Sequence, residues 1–334
     1  MTNKVNIAID AMSGENSPRK IIDGIEISLK SNKDNFFFLY GDEGVLTNEI
    51  KSRNIVKDNS KIINAPDAIL DDESPLTAAK KGKNSSMWKS IDSQKDGKVD
   101  ITLSAGNTGA LLVMSRLILK TIEGIDKPAL AGLWPNNKNM NIVLDLGANI
   151  ECNEKNLLDF ASMGSALFKS IFPAENPQVA LLNIGLEEHK GNEILKKTFT
   201  TLKNTKHKNF NFCGFIEGNQ IMNGDVNVII TDGFTGNIAL KTAEGTADFI
   251  TSNLKKSLNN FFLIFSYFSL KKFKEKLDPR KYNGAIFLGL EGPVVKSHGS
   301  TDAIGFAHSI AMCHKVIKSN LIERIKSNLI TVDH

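Results

Sequence analysis

One pattern constrains the fold more than any other: a short apolar run, a polar loop rich in glycine, and then a helical pattern. Its clearest example is residues 225–245, where the β-rich run VNVII is followed by TDGFTGN and then by apolar residues at helical spacing. A strand, a glycine loop and a helix in this order can present backbone N–H groups to an anion at the start of the helix. An ordinary tight β–α turn favours the same residue types, so this stretch alone leaves both interpretations open.

Four other runs along the chain have the same form. They are IAID (7–10), ITLS (101–104), IVLD (142–145) and VALLN (179–183), each followed by a polar, glycine-containing loop. In an open α/β sheet the loops after parallel strands gather at the carboxyl edge, which is where ligands bind. We therefore expect the five loops to form one small-molecule site at one edge of the sheet.

The alternation of strand and helix patterns predicts an α/β protein with a Rossmann-like three-layer fold. The runs at 129–134 and 141–145 are joined by a short polar turn, so they are expected to pair antiparallel within a mixed, mostly parallel sheet. A chain of 334 residues is long enough for one large α/β unit, and we expect a single catalytic unit over residues 1–334.

Residues 249–283 are expected to form an inserted amphipathic helical arm that projects from this unit. Its centre reads FFLIFSYFSL, and residues 251–281 contain eight basic residues against two acidic ones. Large apolar side chains bracketed by lysines fit an element lying on an anionic membrane surface, and a dimer interface fits them as well. The membrane-contact candidates are Phe261, Phe262, Leu263, Phe265 and Phe268.

Charge and cysteine content narrow the function classes. A net charge of +4 with 23% charged residues is too small an excess to indicate nucleic-acid binding. The three cysteines are far apart and show no metal-ligand spacing, which fits a reducing cytoplasm. No apolar stretch reaches the ~20 residues of a membrane-spanning helix. The chain leads directly into a strand, so no signal peptide is expected.

Cys152 is the one cysteine placed to serve as a thioester nucleophile, since it lies beside the loop LGAN. No histidine is near it in sequence to activate it, and buried structural cysteines are common. The structural interpretation is therefore favoured.

Eight short motifs follow one another along nearly the whole chain, in the order IDAMSGENSP, KNSSM, SAGNTGALLV, GIDKPALA, LDLGAN, LLNIGLEEHKGNE, TDGFTGNIALKT and NGAIFLGLEGPVVKSHGS. Together and in this order they resemble the bacterial phosphate acyltransferase family (PlsX, acyl-carrier-protein:phosphate transacylase). Four positions depart from the family's usual residues: Ser13 replaces Gly, Glu15 replaces Asp, Asn283 replaces Gly and Thr301 replaces Ser.

The resemblance implies a reaction in which the acyl thioester of acyl-carrier protein and inorganic phosphate give acyl phosphate and free carrier protein, early in phospholipid synthesis. It also implies a fold like that of isocitrate and isopropylmalate dehydrogenases, with no cofactor and no metal. A homodimer at the inner face of the cell membrane is expected. There the product would pass to a membrane glycerol-3-phosphate acyltransferase.

Lys190 and Asn237 are the catalytic candidates that the resemblance implies. Lys190 could neutralise phosphate and the developing oxyanion, and Asn237 could donate its amide hydrogens to either. Without the resemblance, a solvated loop lysine and a turn residue are the simpler interpretations. The substrate-binding candidates are Asp10, Lys83, Ser85, Asn107, Thr108, Asn149, Asp232, Gly233, Thr235, Gly236 and His298.

Several of these candidates have alternative roles. His298 could protonate the leaving thiolate or make a turn contact. Asp10 and Asp232 are expected to orient loops or a lysine, because carboxylates repel phosphate. Lys83 belongs to a run of lysines that could contact phosphate or an acidic carrier protein, or could be a solvated face.

Three other functions remain possible at this stage: a small-acyl phosphotransferase, a nucleotide-dependent dehydrogenase and a non-enzymatic scaffold that docks carrier protein. No G-x-G-x-x-G follows a strand pattern and no P-loop motif occurs, which disfavours the dehydrogenase. The scaffold would leave the polar loops unexplained.

Overall fold

Eleven strands form one sheet in the computed structural model, which describes residues 4–172, 176–206, 208–257 and 278–329. The strands are β1 (Val5–Asp10), β2 (Asn35–Gly41), β3 (Ser60–Asn64), β4 (Ile101–Ser104), β5 (Ala129–Pro135), β6 (Met140–Leu144), β7 (Gln178–Asn183), β8 (Asn211–Glu217), β9 (Val228–Ile230), β10 (Ala285–Leu288) and β11 (Val294–Lys296). Their order across the sheet is β3-β2-β1-β4-β11-β10-β5-β6-β9-β7-β8.

The described helices are α1 (Arg19–Ser31), α2 (Glu43–Ile50), α3 (Asn54–Lys57), α4 (Pro75–Lys81), α5 (Ser86–Lys95), α6 (Thr108–Leu119), α7 (Glu154–Ile171), α8 (Glu193–Asn204), α9 (Gly233–Ser257), α10 (Ala303–Lys318) and α11 (Leu321–Asn328). Short 3₁₀ helices lie at Gly82–Asn84, Gly218–Gln220 and Pro279–Tyr282.

Helices cover both faces of the sheet, which confirms the predicted three-layer fold. Successive residues of one strand point to opposite faces: in β9, Val228 and Ile230 belong to one apolar cluster and Ile229 to the other. One cluster contains residues of α1, α2, α3, α7, α8, α10 and α11. The other contains residues of α4, α5 and α6, with apolar residues of α9 packed against it.

The strand direction reverses at the centre of the sheet. β3, β2, β1, β4 and β11 run parallel to one another, and β6, β9, β7 and β8 form a second parallel set. Between them β10 and β5 pair antiparallel with their neighbours, and the predicted β5–β6 hairpin is antiparallel. The mixed, mostly parallel sheet is therefore confirmed.

The expectation that all five loops leave one edge is wrong, because the two parallel sets run in opposite directions. The loops after β1 and β4 belong to one set, and those after β6, β7 and β9 belong to the other. The twist of a sheet rotates one group of loops relative to the other. Six steps separate β1 from β9 in the strand order, and about 20–25° of twist per step accumulates to roughly 120–150°. A rotation of this size would offset much of the reversal in direction between the two sets.

Side-chain caps and one short turn set several helix boundaries. The 3₁₀ turn Gly82–Asn84 separates α4 from α5. The side chain of Asp302 accepts the hydrogen bond that caps α10. Asp42 caps the Val45 N–H, so α2 begins directly after β2.

The arm expected over residues 249–283 lies only partly within the described residues, and the exposed half of α9 begins before residue 249. Side chains of α9 from Glu244 to Leu254 are exposed, so this half of the helix has no cover from the rest of the described chain. Residues 258–277, which include the five membrane-contact candidates, lie outside the described residues. None of the helices described is long and apolar enough to cross a membrane.

The TDGFTGN stretch is mostly helical and not a loop, since α9 starts at Gly233. Its first turn packs tightly against the segment after β6. A Cβ on Gly236 would lie 1.9 Å from the carbonyl oxygen of Asp145, and one on Gly233 would lie 2.5 Å from that of Asn149. The two glycines therefore let the helix backbone and the neighbouring loop approach each other.

This packing predicts opposite effects for two substitutions in the same helix. Gly236→Ala should lower the free energy of unfolding by about 1–3 kcal/mol or more, since the new methyl group cannot fit without moving backbone. Gly245→Ala, where a Cβ has nothing within 4 Å, should raise it by about 0.5–1 kcal/mol through helix propensity. Thermal unfolding midpoints of both variants test this. Equal shifts would show that the first turn is loosely packed.

Candidate active site

Two walls of polar residues lie at the carboxyl ends of the two parallel sets. The first wall is made of the segments after β1, β4 and β11, residues 11–18, 105–107 and 297–302. It also includes Asp10, Ser104 and Lys296 at the strand ends, and Lys20 and residues 83–86, which adjoin them. The second wall is made of the segments after β6, β7 and β9, residues 145–153, 184–192 and 231–232, together with the first turn of α9.

Asp145 organises the second wall as a buried carboxylate. One of its oxygens accepts the backbone N–H groups of Leu130, Gly147 and Ala148. The other accepts the backbone N–H and the side-chain amide of Asn149, at 2.7 and 2.8 Å. Burial raises the pKa of the Asp145 carboxyl, and these donors oppose the rise. The LDLGAN motif is thus a loop folded around its own aspartate.

Most of the candidates in the second wall already have partners within the protein. Asn149 also donates from its amide to the Pro128 carbonyl, so both amide hydrogens are used. Asp232 accepts the N–H and hydroxyl of Thr235, and the Gly233 N–H donates to the Asn149 carbonyl. The Gly233 and Thr235 N–H groups at the start of α9 are therefore used by protein groups and are not open to an anion.

Asn237 and Lys190 are the two candidates in this wall whose polar ends remain available. Asn237 is exposed, and its side chain lies over Gly147, with its Cγ 3.5 Å from where a Cβ of that glycine would be. Lys190 is exposed, and its ammonium group makes no hydrogen bond or ion pair within the described residues. Because β7 neighbours β9 in the sheet, both residues lie at the same edge.

Asp10 organises the first wall in the way that Asp145 organises the second. Its carboxylate is fully buried and accepts the hydroxyls of Ser86 and Ser104, the latter at 2.6 Å. Asp10, Ser104 and Lys296 stand in register at the ends of β1, β4 and β11. Ser86 and Ser104 were not predicted, because no local pattern marks a hydroxyl as the partner of a distant aspartate.

Ser85 and Asn107 act as structural caps in the first wall. Ser85 is fully buried, caps the Trp88 N–H of α5 and donates to the Gly82 carbonyl. Asn107 caps the Ala110 N–H of α6. Its amide also donates to carbonyl oxygens of the acidic segment 70–73. Lys83 and Thr108 are exposed near these caps.

Two lysines that the sequence reasoning missed lie in the first wall. Lys20 of α1 is 6% exposed and donates to the Gly299 carbonyl. Lys296 donates to the carbonyls of Ala105, at 3.4 Å, and Ser297. Burial, aided by the Lys20 and Lys241 charges, lowers the pKa of Lys296 to about 8. Lys296 could have been found by applying the strand-end rule to β11, whereas Lys20 sits within a helix and gives no such signal.

The helix α9 connects the two walls. It begins in the second wall at Gly233, and Lys241 lies eight residues later, which is roughly 12 Å along a helix. At that point the Lys241 charge acts on both Lys296 and His298 of the first wall. Lys241 therefore lies near the first wall, so α9 runs from the second wall to the neighbourhood of the first.

His298 lies at this meeting point with its ring nitrogen Nδ1 2.9 Å from the Ser300 hydroxyl. Partial burial and the charges of Lys296 and Lys241 lower the pKa of His298 below its ordinary value. The imidazole is therefore mostly neutral near pH 7, so its role there is that of a polar contact more than of a cation.

Cys152 is a buried thiol that is influenced by the charges of two carboxylates. Burial and the charges of Asp145 and Asp232 raise its pKa to about 11. A thiol in this state is a poor nucleophile at neutral pH. Among the residues described, no group of three or more histidine, cysteine, aspartate or glutamate side chains could hold a metal ion.

The fold and the two polar walls define a class: three-layer α/β proteins built like the phosphotransacetylases. A phosphotransacetylase from Streptococcus pyogenes superposes with a TM-score of 0.62 at 16% identity, covering 96% of this chain and 94% of that one. The EutD phosphotransacetylase from Staphylococcus aureus gives 0.61 at 17% identity, covering 95% and 94%. A 4-hydroxythreonine-4-phosphate dehydrogenase from Klebsiella pneumoniae gives 0.54 at 12% identity, covering 95% and 98%. These likenesses show the fold.

Sequence comparison shows the family. A family model described as "Fatty acid synthesis protein" matches residues 5–324. A phosphate acyltransferase of Pelagibacter ubique is 56% identical over 334 residues, covering 98% of this chain and 100% of that protein. One from Azorhizobium caulinodans is 41% identical over 337 residues, covering 99% and 95%. The chain belongs to the phosphate acyltransferase (PlsX) family and is therefore an acyltransferase.

The state of the cysteines predicts a clear order of chemical reactivity. At pH 8, iodoacetamide should modify the exposed Cys213 first and leave Cys152 and Cys313 largely unmodified, because thiolate is the reacting form. Cys152→Ser should retain acyltransferase activity within about twofold. Peptide mass mapping and rate measurements test both points. Early labelling of Cys152, or an inactive Cys152→Ser variant with a native melting profile, would contradict the structural role.

Proposed function

We propose that the protein transfers the acyl group of acyl-carrier protein to inorganic phosphate, releasing acyl phosphate and free carrier protein. Membership of the phosphate acyltransferase family supports the use of phosphate as acceptor. The observation that carries the proposal is that the two walls, which α9 links, both hold cationic or amide donors with unused capacity.

The reaction requires little acid–base chemistry from the protein. A phosphate oxygen attacks the thioester carbonyl, the C–S bond breaks, and the pantetheine sulfur leaves as a thiolate that takes up a proton. The thiol pKa is about 8.5 by analogy with cysteine, so the leaving group needs only modest assistance. Donors aimed at the developing oxyanion are commonly the largest catalytic contribution. The available ends of Lys190 and Asn237 suit that role.

The carrier protein would dock beside the first wall. Lys80 and Lys81 at the end of α4, and Lys83 in the following turn, are exposed and close together in the chain. Positive charge in this position would attract an acidic carrier protein and speed its association. The carboxylates of the neighbouring segment 71–73 would instead repel it, which would help to fix where the carrier protein lands.

We also propose that the acyl donor carries a fatty acyl chain. The protein would act as a homodimer at the membrane surface. The described part of α9 exposes large apolar side chains at Phe249, Ile250 and Leu254. This supports a role for the arm in contacting another surface. The lysine-flanked sequence 255–276 favours the anionic inner face of the membrane. An apolar acyl phosphate released there could pass to a membrane glycerol-3-phosphate acyltransferase.

The proposed reaction predicts strict dependence on phosphate. Purified protein should consume long-chain acyl-carrier protein and form acyl phosphate only when phosphate is added. Lys190→Ala and Asn237→Ala should each lower kcat/KM by about 10²-fold or more, the scale of losing an oxyanion donor. Lys197→Ala, an exposed lysine in the following helix α8, is the control and should retain the rate. Phosphate-independent turnover, or a full rate in both active-site variants, would refute the proposal.

The proposed membrane contact predicts a separable defect. Replacing Leu263 and Phe265 with Glu should abolish co-sedimentation with anionic liposomes, since each inserted side chain contributes roughly 1.5–3 kcal/mol. Activity on carrier protein in solution should stay within about twofold. Binding of the unaltered protein should weaken with salt and with neutral lipid. If the double variant still sediments with liposomes, or loses its dimer instead, the arm is a protein interface.

A further inference from the structure

Lys20 and Lys296 form an unusual pair in the first wall, because both lack a carboxylate partner. Their ammonium groups donate only to backbone carbonyls, Lys20 to Gly299 and Lys296 to Ala105 and Ser297. Neither takes part in an ion pair with any described residue. Each ammonium has three N–H donors, so the six donors are only half used.

The nearest acidic groups do not neutralise the pair by contact. Glu15 and Asp71 act on Lys20 through space without hydrogen bonding to it. Asp71 and Asp10 act in the same way on Lys296. Both oxygens of Asp10 already accept serine hydroxyls. The Lys20 and Lys241 charges add repulsion at Lys296. Two buried or partly buried cations near each other are costly unless an anion joins them.

The surrounding backbone holds the two lysines close together. Glu15 donates its N–H to the same Gly299 carbonyl that accepts from Lys20. A Cβ on Gly14 would lie 3.0 Å from the Cβ of Ala105 and 3.2 Å from the Gly299 carbonyl oxygen. The three segments of the first wall are therefore in direct contact where the lysines end.

An unsatisfied hydroxyl lies in the same wall. Ser13 is 2% exposed, and its Oγ has no hydrogen-bond partner among the described residues. It packs against Gly106, where a Cβ would lie 2.8 Å from that oxygen. A buried donor without a partner among the described residues, in the same wall as two cations without a carboxylate partner, is suited to binding an anion.

We propose that Lys20 and Lys296 form the binding site for the phosphate dianion, with the Ser13 hydroxyl as a third donor. The assignment rests on the proposed reaction for the identity of the anion. A dianion matches two cations, and its remaining side would face Lys241 of α9 and His298 of the same wall. In this arrangement the first wall holds the nucleophile, and Lys190 and Asn237 of the second wall are left for the thioester carbonyl.

The assignment also gives a pH dependence with a definite sign. The pKa of Lys296 lies near 8, lowered mainly by burial and also by the Lys20 and Lys241 charges, while Asp71 and Asp10 raise it. The protonated lysine binds phosphate, so KM for phosphate should rise as pH increases through about 8. An arginine at this position keeps its charge and should flatten that rise.

Calorimetry with inorganic phosphate and the full-length protein, without acyl donor, tests the site directly. Lys296→Met should weaken phosphate binding by about tenfold or more, the scale of one lost charge-assisted hydrogen bond. Lys89→Met is the matched control, since Lys89 also donates to a carbonyl, that of Asn64, but lies elsewhere. It should bind as the unaltered protein does. Unchanged phosphate affinity in Lys296→Met would overturn the site.

Steady-state kinetics separates this site from the proposed reaction. In Lys296→Met the KM for phosphate should rise while the KM for acyl-carrier protein stays within about twofold. Lys296→Arg, which keeps the charge if the methionine variant fails to fold, should retain phosphate binding and lose the rise of KM above pH 8. An unaltered pH profile in Lys296→Arg would overturn the site. Phosphate binding that depends on Lys296 in a protein inactive on acyl-carrier protein would retain the site and refute the reaction.

Discussion

The reversal of strand direction at β10 and β5 is the constraint on which the arrangement of the site depends. A fully parallel sheet would collect every polar loop at one edge. Here two parallel sets run in opposite directions, and sheet twist of the usual size would offset much of that reversal. The site therefore has two walls, each built by its own set of strands, and α9 runs from one to the neighbourhood of the other. Two substrates of different chemistry can be held by different walls and meet between them.

The acidic side chains of the two walls have hydrogen-bond partners, whereas the basic side chains have no carboxylate partner. The buried carboxylates Asp10 and Asp145 have hydrogen-bond donors on both oxygens. The lysines Lys20, Lys190 and Lys296 have no carboxylate in contact within the described chain. The acids therefore fix loop conformation, and the unpaired bases leave a local excess of positive charge. Asp10 and Asp145 lie at strand ends, but they stabilise the loops there, because protein donors already occupy their oxygens.

Much of the fold could be predicted from the sequence, because it depends on local patterns. The strand at Val5–Asp10 and the β5–β6 hairpin follow from apolar runs and a short polar turn. The direction of whole strand sets could not be predicted, since it depends on pairings between distant segments such as β10 with β5. The role of Asn107 was hidden for the same reason: its partners are carbonyls more than thirty residues away. Lys20 lies inside a helix, and only the tertiary contact with Gly299 places it in the site.

The helix α9 has one end packed against the backbone of the second wall and the other exposed to its surroundings. Gly236 fits so closely against Asp145 that the first turn cannot shift without moving that loop. From Glu244 to Leu254 the side chains of the same helix are exposed within the described part of the chain. A stiff helix held at one end acts as a lever. A displacement of its exposed half would therefore be passed on to Asn237 and Lys241 near the packed end.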